Sequence, residues 1–189
     1  MLERFKKEEG FTLIEILAAL LILSIVSLVM TAYFSNAMTF AKSNQNKTIM
    51  SNLARSALVY MQKQDFAQLE SYFLDRTAEG EPPSITPNMF DICSSASSGV
   101  CEYREIFGDV ADFDPDLFKN IFSPTVNGVP YTIEVTYQPN IKSSLQSDKN
   151  LGSEGARLLI PIAVTVSGNG GPGADSVTVE GYVNAAAIR

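Results

Sequence analysis

Residues 10–34 of this chain read GFTLIEILAALLILSIVSLVMTAYF, and this stretch decides the fold. Between Phe11 and Phe34 the only charged side chain is that of Glu15. A helix over this segment rises about 36 Å, whereas the hydrocarbon core of a bilayer is about 30 Å thick. The sequence therefore predicts a helix that crosses a membrane once, near the start of the chain.

The helical pattern continues beyond this apolar segment. Apolar residues recur at three- and four-residue steps as far as Phe73, which indicates a helix with one buried face. Neither Gly nor Pro occurs between Phe11 and Glu79. We therefore expect one unbroken helix from near Phe11 to about Asp75, which the prolines of residues 80–87 then end. The apolar face comprises Met50, Leu53, Ala54, Ala57, Leu58, Met61, Phe66, Leu69 and Phe73.

The C-terminal part of the chain predicts a small antiparallel sheet. Val129–Tyr137 and residues 176–183 alternate between apolar and polar side chains, as strands with one buried face do. Residues 158–166 are more continuously apolar and form the third expected strand. Residues 167–175 are typical of a hairpin loop, and residues 143–155 are expected to form a long polar connection. The predicted fold class is α+β, with a long N-terminal helix packed on a small C-terminal antiparallel sheet.

The segment between the long helix and the sheet is expected to be irregular apart from one short helix. Asp114 suits the N-cap of that helix and Pro115 its first position. Asp112, Asp114 and Asp116 also alternate, as they do at the opening of a calcium loop, but Leu117 stands where such a loop needs Gly. The helix cap is the preferred interpretation, and a calcium site is the alternative.

The composition excludes several classes of function. The net charge is −7, and the first ten residues hold three bases and three acids, so the rest of the chain is equally acidic. An acidic domain is a poor general binder of nucleic acid, because phosphate recognition needs clustered Lys and Arg. The absence of His excludes His-based triads and His metal sites. Since no catalytic constellation occurs, we expect neither an enzyme nor a bound cofactor.

A specific motif lies at the junction between the charged start and the apolar helix. An ordinary secretory signal has its cleavage site after the apolar stretch, whereas here Gly10 precedes that stretch. Glu15 follows five residues later, and a carboxylate inside a membrane helix costs on the order of a few kcal/mol. The pattern therefore predicts that another group compensates the charge of Glu15.

Residues 10–15, GFTLIE, and the uncharged run behind them resemble the type III signal of type IV prepilins. The resemblance implies that a prepilin peptidase cuts after Gly10 and that Phe11 becomes N-methylated. It also implies that Glu15 meets the N-terminal amine of a neighbouring subunit during assembly, which compensates the carboxylate. The sequence departs from many pilins at Ala32, where they carry Pro, so a kink at that position is in doubt.

The resemblance divides the chain into three parts. Residues 1–10 are the expected leader peptide, residues 11–34 the transmembrane and assembly half of the helix, and residues 35–189 an extracytoplasmic pilin-like domain. Bases before the span favour a cytoplasmic N-terminus by the positive-inside rule. We therefore expect a single-pass protein of the cytoplasmic membrane whose C-terminal domain lies outside and later joins an extracellular or periplasmic filament.

Two further features each allow two interpretations. Cys93 and Cys101 are the only cysteines, and outside the cytoplasm a disulfide between them is the natural interpretation, with a reactive or metal-binding pair as the alternative. Lys142, Lys149 and Arg157 flank the expected polar connection. They belong to a solvated loop or, alternatively, to a patch that contacts DNA.

Taken together, the sequence predicts a structural, minor subunit of a type IV pilus-like filament that serves pilus assembly or DNA uptake in competence. The minor class is suggested by residues 16–30 and 43–58, which resemble minor prepilins. The alternatives are a minor pseudopilin of a type II secretion system and a tip adhesin or other binding subunit. Expected partners are other pilin or pseudopilin subunits, the prepilin peptidase and the membrane assembly platform; a DNA or surface ligand is left open.

Overall fold

Helix α1 (Leu13–Met61) contains almost the whole apolar segment and continues far beyond it. The chain divides into two units, residues 1–45 and 46–189, and α1 contributes to both. The described part of the first unit consists of α1 and the three residues before it. In the computed structural model of the protein, the residues described are 10–76, 82–91, 115–168 and 175–185.

The expectation of one unbroken helix to about Asp75 is wrong. Helix α1 ends at Met61, and a second helix, α2 (Phe66–Arg76), follows it. Neither Gly nor Pro marks this break. The spacing of the apolar residues does mark it, because the step from Met61 to Phe66 is five residues instead of three or four, which rotates the apolar face out of phase.

Hydrogen bonds of residues 62–65 explain why the helix stops there. The backbone N–H groups of Lys63 and Gln64 donate to carbonyls three residues back, at 3.1 and 3.2 Å. Such tighter bonding is frequent in the last turn of an α-helix. Asp65 then begins α2, since its Oδ1 accepts a hydrogen bond from the backbone N–H of Gln68 at 3.0 Å, as an N-cap side chain does.

Short elements connect α2 to the long strands. Helix α4 (Pro115–Phe122) confirms the predicted short helix, and Pro115 is its first residue, where the missing N–H costs nothing. The expected cap, Asp114, lies outside the described residues. The short elements described are β1 (Ser84–Ile85), α3 (Asn88–Asp91), α4 (Pro115–Phe122) and β2 (Thr125–Val126).

The three long strands confirm the predicted antiparallel sheet. They are β3 (Val129–Tyr137), β4 (Leu159–Gly168) and β5 (Ser176–Asn184). The strand order is β1-β3-β4-β5, and β2 also pairs with β3. The register places Ile133 beside Val166 and Val164 beside Val179, so alternate residues of all three strands share one face.

A tight turn at Asn127 and Gly128 joins β2 to β3. Both residues have positive φ, 53° and 76°, as a two-residue type I′ hairpin turn requires. Val126 pairs with Val129 across the turn. The alternation pattern did not predict this hairpin, although Asn-Gly is a strong local signal for one.

The shared face of the sheet packs against the helices of the second unit. Most of the predicted helical stripe is buried there, while Leu53, Leu58 and Phe66 are partly buried. The predicted long helix on a small antiparallel sheet, an α+β fold, is thereby confirmed. The buried side chains of this core include Met50, Ala54, Ala57, Met61, Leu69, Phe73 and Phe122 of the helices and Ile85, Tyr131, Ile133, Val135, Tyr137, Ile160, Ile162, Val164 and Val166 of the strands.

Gly181 in β5 allows α1 to approach the sheet closely. A β-carbon at position 181 would lie 2.6 Å from Leu58 Cδ2 and 3.2 Å from Leu58 Cγ, well inside an optimal carbon–carbon separation of about 3.5–4.0 Å. One turn further along α1, the Gln62 side chain donates a hydrogen bond to the Tyr182 carbonyl at 3.1 Å. Close packing and this hydrogen bond together hold α1 against β5.

Residues 143–155 connect β3 to β4, as expected, but this part of the chain is largely helical. It contains most of α5 (Pro139–Ser147) and α6 (Gly152–Arg157). The reason is tertiary. Lys142 of α5 is 6% exposed, and its Nζ donates to the carbonyls of Ala156 at 2.9 Å and Leu159 at 2.7 Å. The buried ammonium thus joins α5 to the end of α6 and the start of β4.

Pro161 lies inside the central strand β4, where proline is usually excluded. Its carbonyl accepts a hydrogen bond from Gln138 N at 3.0 Å, so its N atom faces the same side, towards the end of β3. A residue other than proline at position 161 would donate its backbone N–H to the Gln138 carbonyl. That carbonyl instead accepts from Lys142 N at 3.1 Å, which begins α5. Proline therefore suits the point where the chain leaves the sheet for a helix.

Candidate assembly and processing site

The proposed cleavage position is accessible in the structure. Gly10 is exposed and Phe11 is 84% exposed. A β-carbon at Gly10 would have no neighbour within 4 Å, and the φ of Gly10 is not in the left-handed region. Among the described residues, neither a close neighbour nor the backbone conformation demands Gly at this position.

Thr12 and Glu15 form a hydrogen-bonded cap at the first turn of α1. Glu15 Oε2 accepts from the backbone N–H of Thr12 at 3.0 Å and from the Thr12 hydroxyl at 2.9 Å. A carboxylate three residues after the N-cap that binds the N-cap backbone N–H is one half of a capping box. The carboxylate also lies at the positive end of the helix dipole. Glu15 thus has partners within its own chain.

Sequence reasoning assigned the compensation of Glu15 to another subunit and missed Thr12. The spacing Thr-x-x-Glu at the start of an apolar run is itself a signal for a capping box. The intrachain cap leaves Glu15 unpaired with any cation among the described residues.

The first unit leaves its apolar helix surface exposed. Within α1 the most apolar window of 18 residues has a mean hydropathy of 2.8, and none of it is buried. The helix is therefore long and apolar enough to cross a membrane. Its exposed large side chains include Leu13, Ile14, Leu17, Leu20, Leu21, Ile22, Leu23, Ile25, Leu28, Val29, Met30, Tyr33 and Phe34.

Polar side chains within this segment are compatible with an apolar environment. The Ser24 hydroxyl donates to the Leu20 carbonyl at 2.7 Å, and the Thr31 hydroxyl donates to the Ser27 carbonyl at 2.8 Å. Backbone carbonyls four residues back thus satisfy both hydroxyl groups, which removes most of the cost of placing them in lipid or among other helices. Glu15 is then the one formally charged group in the segment.

Two shallow apolar grooves run along this surface of α1. The first has a volume of ≈ 380 Å³ and places Glu15 between Phe11 and the small side chain of Ala19. Ile16, Leu20 and Leu23 complete it. The second, of ≈ 460 Å³, is lined by Met30, Thr31, Phe34, Ser35 and Met38. Grooves of this kind between ridges of large side chains suit the packing of another helix.

The helix is continuous through Ala32, the position at which many pilins carry Pro. Ala is the best helix former, and no hydrogen bond of the helix is lost there. The doubt about a kink at this position is therefore justified for the described helix.

Several predicted site residues are not placed. Cys93, Cys101, Asp112 and Asp114 lie outside the described residues, and Asp116 belongs to the described backbone of α4 without a described side chain. The disulfide and the alternative calcium site stay predictions. In the described ranges, no group of three or more Cys, Asp or Glu side chains is close enough to hold a metal ion.

The suggested basic patch is not supported at Lys142. Its ammonium is buried and bound to two carbonyls, whereas Arg157 is exposed and lies 3.9 Å from Glu154. Burial lowers the pKa of Lys142 from its ordinary value of 10.5, an effect that the Glu70 carboxylate opposes. Lys142 therefore belongs neither to a solvated loop nor to a DNA-contacting surface; it is a structural residue.

Comparison with known proteins supports the interpretation of the N-terminal segment. Residues 5–31 match the family model described as the prokaryotic N-terminal methylation motif. No curated protein and no solved structure matches the chain. The matched residues include the exposed Gly10–Phe11 junction, the Thr12–Glu15 cap and most of the apolar helix surface.

The class of protein follows from this motif together with the fold. A methylation motif at the start of a long apolar helix, which is packed further along on a small antiparallel sheet, is the arrangement of type IV pilins and pseudopilins. The motif and the fold support a type IV pilin-like or pseudopilin subunit, whose N-terminal helix is long and apolar enough to anchor it in a membrane.

Proposed function

We propose that this chain is a structural, minor subunit of a type IV pilus-like filament that serves pilus assembly or DNA uptake. Its mature form begins at Phe11 after a prepilin peptidase removes residues 1–10, and the new N-terminus is methylated. One observation supports the proposal above all: Glu15 lies in the apolar groove beside Phe11, and no described residue provides it with a counter-ion.

The position of Glu15 supports a role in subunit register. Cleavage after Gly10 creates an ammonium at Phe11, four residues before Glu15 in the chain. Within one subunit, the carboxylate is already engaged by Thr12. An ammonium of an adjacent, axially shifted subunit provides the missing opposite charge, and a charge pair in an apolar surrounding favours one register over others.

The proposed topology places the second unit outside the cytoplasm. Arg4, Lys6 and Lys7 precede the apolar helix, and bases next to a span favour the cytoplasmic side. Cys93 and Cys101 then reside in an oxidising compartment, where a disulfide between them is stable. A loop of this length adds about 2–3 kcal/mol by the chain-entropy model.

Partners follow from the same arrangement. Other pilin or pseudopilin subunits pack along the exposed face of α1, which no described part of the chain covers. The prepilin peptidase and the assembly platform of the cytoplasmic membrane are the remaining proposed partners. The motif match supports no more specific system, and the minor class rests on the resemblance of residues 16–30 and 43–58 to minor prepilins.

Three substitutions separate the charge of Glu15 from its capping role. Glu15→Gln keeps an oxygen that can accept from Thr12 but removes the charge, Glu15→Ala removes both, and Thr12→Ala removes only the hydroxyl donor. We expect Glu15→Gln and Glu15→Ala to insert into the membrane as the wild type does, while their amounts in sheared filaments fall at least about tenfold, the effect of losing about 1.4 kcal/mol.

Thr12→Ala is the matched control for this comparison. It weakens the cap by no more than about 1 kcal/mol, and we expect it to enter filaments at near wild-type amounts. Quantitative immunoblots of membrane and filament fractions measure all four proteins. Wild-type amounts of Glu15→Gln in filaments would show that the charge has no role in assembly.

A further inference from the structure

The edge of β5 differs from the opposite edge of the sheet. On the far side of β3, two short strands cover the edge: β2 pairs with Val129 and Pro130, and β1 pairs with Val135 and Thr136. In addition, Tyr131 N donates to a carbonyl at 2.9 Å. Among the described strands, only β4 pairs with β5, so the other side of β5 has no strand beside it.

The hydrogen bonds show which groups of β5 face this edge. The carbonyl of Pro161 points towards β3, so its partner in β5, Tyr182, directs its backbone groups away from β4. The bond from Gln62 Nε2 to the Tyr182 carbonyl confirms that direction. By contrast, the odd-numbered residue Ala185, just after β5, donates its backbone N–H to the Leu158 carbonyl at 3.0 Å, in the direction of β4. Even-numbered residues of β5 therefore present their N–H and C=O groups outwards.

Within the described residues, the edge has few of the devices that usually prevent strand addition, and Glu180 is its one charged side chain. Protected edges are short, carry Lys or Pro, or contain bulges. Strand β5 has nine residues, contains neither Lys nor Pro, and pairs with β4 without a bulge from Ser176 to Asn184. Of its outward carbonyls, that of Tyr182 is bound by a side chain. The N–H and C=O groups of Thr178 and Glu180 lie in the middle of the open stretch.

The side chains of β5 indicate which residues a strand paired with its open edge must carry. On the face towards α1, Val177 and Val179 pack against the core but are only partly buried. On the other face, Glu180 is exposed, and no ion pair to it occurs within the described residues. A matching strand would cover the two valines with an apolar side chain and would place a basic residue opposite Glu180.

A second copy of this chain does not match these requirements. Strand β5 contains no basic residue, and pairing two copies of it symmetrically about residue 180 would place one Glu180 opposite the other, which is destabilising. Strands β3 and β4 already have neighbours on both sides. No described strand of a second copy is both open at an edge and basic, so we assign the complementary strand to a different polypeptide.

We propose that the open edge of β5 binds an extended segment of a different subunit, one that carries a basic residue opposite Glu180. The segment extends the sheet by one antiparallel or parallel strand, and the outward N–H and C=O groups of Thr178 and Glu180 bind its backbone. This proposal rests on the proposed filament function, because the filament brings the two subunits together.

Amide hydrogen exchange of the full mature chain tests the proposal. In detergent micelles, the amides of Thr178 and Glu180 should exchange quickly, while those of Val177 and Val179, bonded to β4, exchange slowly. In sheared filaments, the amides of Thr178 and Glu180 should slow by at least about tenfold. If they stay as fast as in micelles, the edge is not a docking site, whereas a wild-type chain that is missing from filaments would refute the assembly function itself.

Two variants at one position test the same edge genetically. Thr178→Ala and Thr178→Pro both lose the hydroxyl that lies 2.9 Å from Thr165 Oγ1, but only Pro loses the outward N–H. Pro is tolerated on an edge whose N–H faces solvent. We expect Thr178→Pro to enter filaments at least about tenfold less than Thr178→Ala. Equal incorporation would overturn the proposal, and slow exchange at Val179 in micelles verifies that Thr178→Pro is folded.

Identification of the neighbour completes the test. A photoreactive amino acid in place of Tyr182, which is 40% exposed, should form an adduct in filaments with a peptide from a different subunit that contains Lys or Arg. An adduct with β5 of a second copy would overturn the assignment of the partner. Filaments that contain the labelled chain but yield no adduct would overturn the docking edge as well.

Discussion

The contact between Gly181 and Leu58 makes a quantitative prediction about how α1 packs on the sheet. Substituting Ala at position 181 adds a β-carbon 2.6 Å from Leu58 Cδ2 and 2.8 Å from Leu58 Cδ1. Leu58 must move by roughly an ångström to restore normal contacts. Overpacking of this kind destabilises the fold by about 1–3 kcal/mol, while replacing a Gly in a strand interior stabilises it by about 0.5–1 kcal/mol. We expect Gly181→Ala to destabilise the fold by about 1–2 kcal/mol.

A double-mutant cycle isolates the contact. In a Leu58→Ala background the added β-carbon meets free space, so Gly181→Ala should be neutral or stabilising by up to about 1 kcal/mol. The coupling energy should therefore be about 1–3 kcal/mol. Gly168→Ala is the control, because its β-carbon would lie an ordinary 3.4 Å from Tyr131 Cε1. We expect it to change stability by less than about 0.5 kcal/mol.

Urea unfolding of residues 35–189, followed by circular dichroism, measures these differences. For a domain of this size, 1 kcal/mol also corresponds to about 2–4 °C in the melting temperature. The reasoning fails if Gly181→Ala costs nothing, or if it costs the same with Leu58 present and absent.

Three further predictions concern the second unit. A fragment beginning at Ser35 should be soluble and folded, since residues 46–189 form a unit of their own; an unfolded circular dichroism spectrum would refute this. Lys142→Met should cost about 1–3 kcal/mol, because the carbonyls of Ala156 and Leu159 lose their donor. The difference in unfolding free energy between wild type and Lys142→Met should increase as pH rises from 8 towards 10.5. The pKa of Lys142 is lowered in the fold, so the unfolded wild-type chain binds more protons than the folded one in that pH range, and the wild type gains stability there. A difference that stays constant would exclude the lowered pKa. Cys93 and Cys101 of the protein exported by cells should resist alkylation until reduced, and labelling of both thiols without reduction would exclude their pairing.

The sequence predicted the long elements because their patterns arise from local periodicity. Val129–Tyr137 was predicted with its observed bounds, since its alternation directly reflects one buried and one exposed face. The break after Met61 was missed because the search relied on Gly and Pro, and neither marks it. There the signal was the five-residue step to Phe66 and the capping capacity of Asp65.

The helices at residues 143–155 have a tertiary cause. The composition of residues 143–155 is polar, and helices α5 and α6 are held there by the buried Lys142, whose partners are up to 17 residues away in the chain. Lysine is almost always exposed, so the local sequence gives no sign that Lys142 is buried. At the candidate site, the sequence predicts roles for Gly10, Phe11 and Glu15 that stay predictions. The Thr12 cap was missed, although the spacing Thr-x-x-Glu is a local signal for it.

The mass of the mature protein tests the central claim most directly. The chain should be expressed in cells with an active prepilin peptidase, purified from membranes and analysed intact and after proteolysis. We expect an N-terminal peptide that begins at Phe11 and carries one methyl group, with residues 1–10 absent. Gly10→Val should retain the leader, because a side chain at the cleavage position blocks the peptidase while the fold leaves room for it. Recovery of the wild-type chain with residues 1–10 intact would contradict the account.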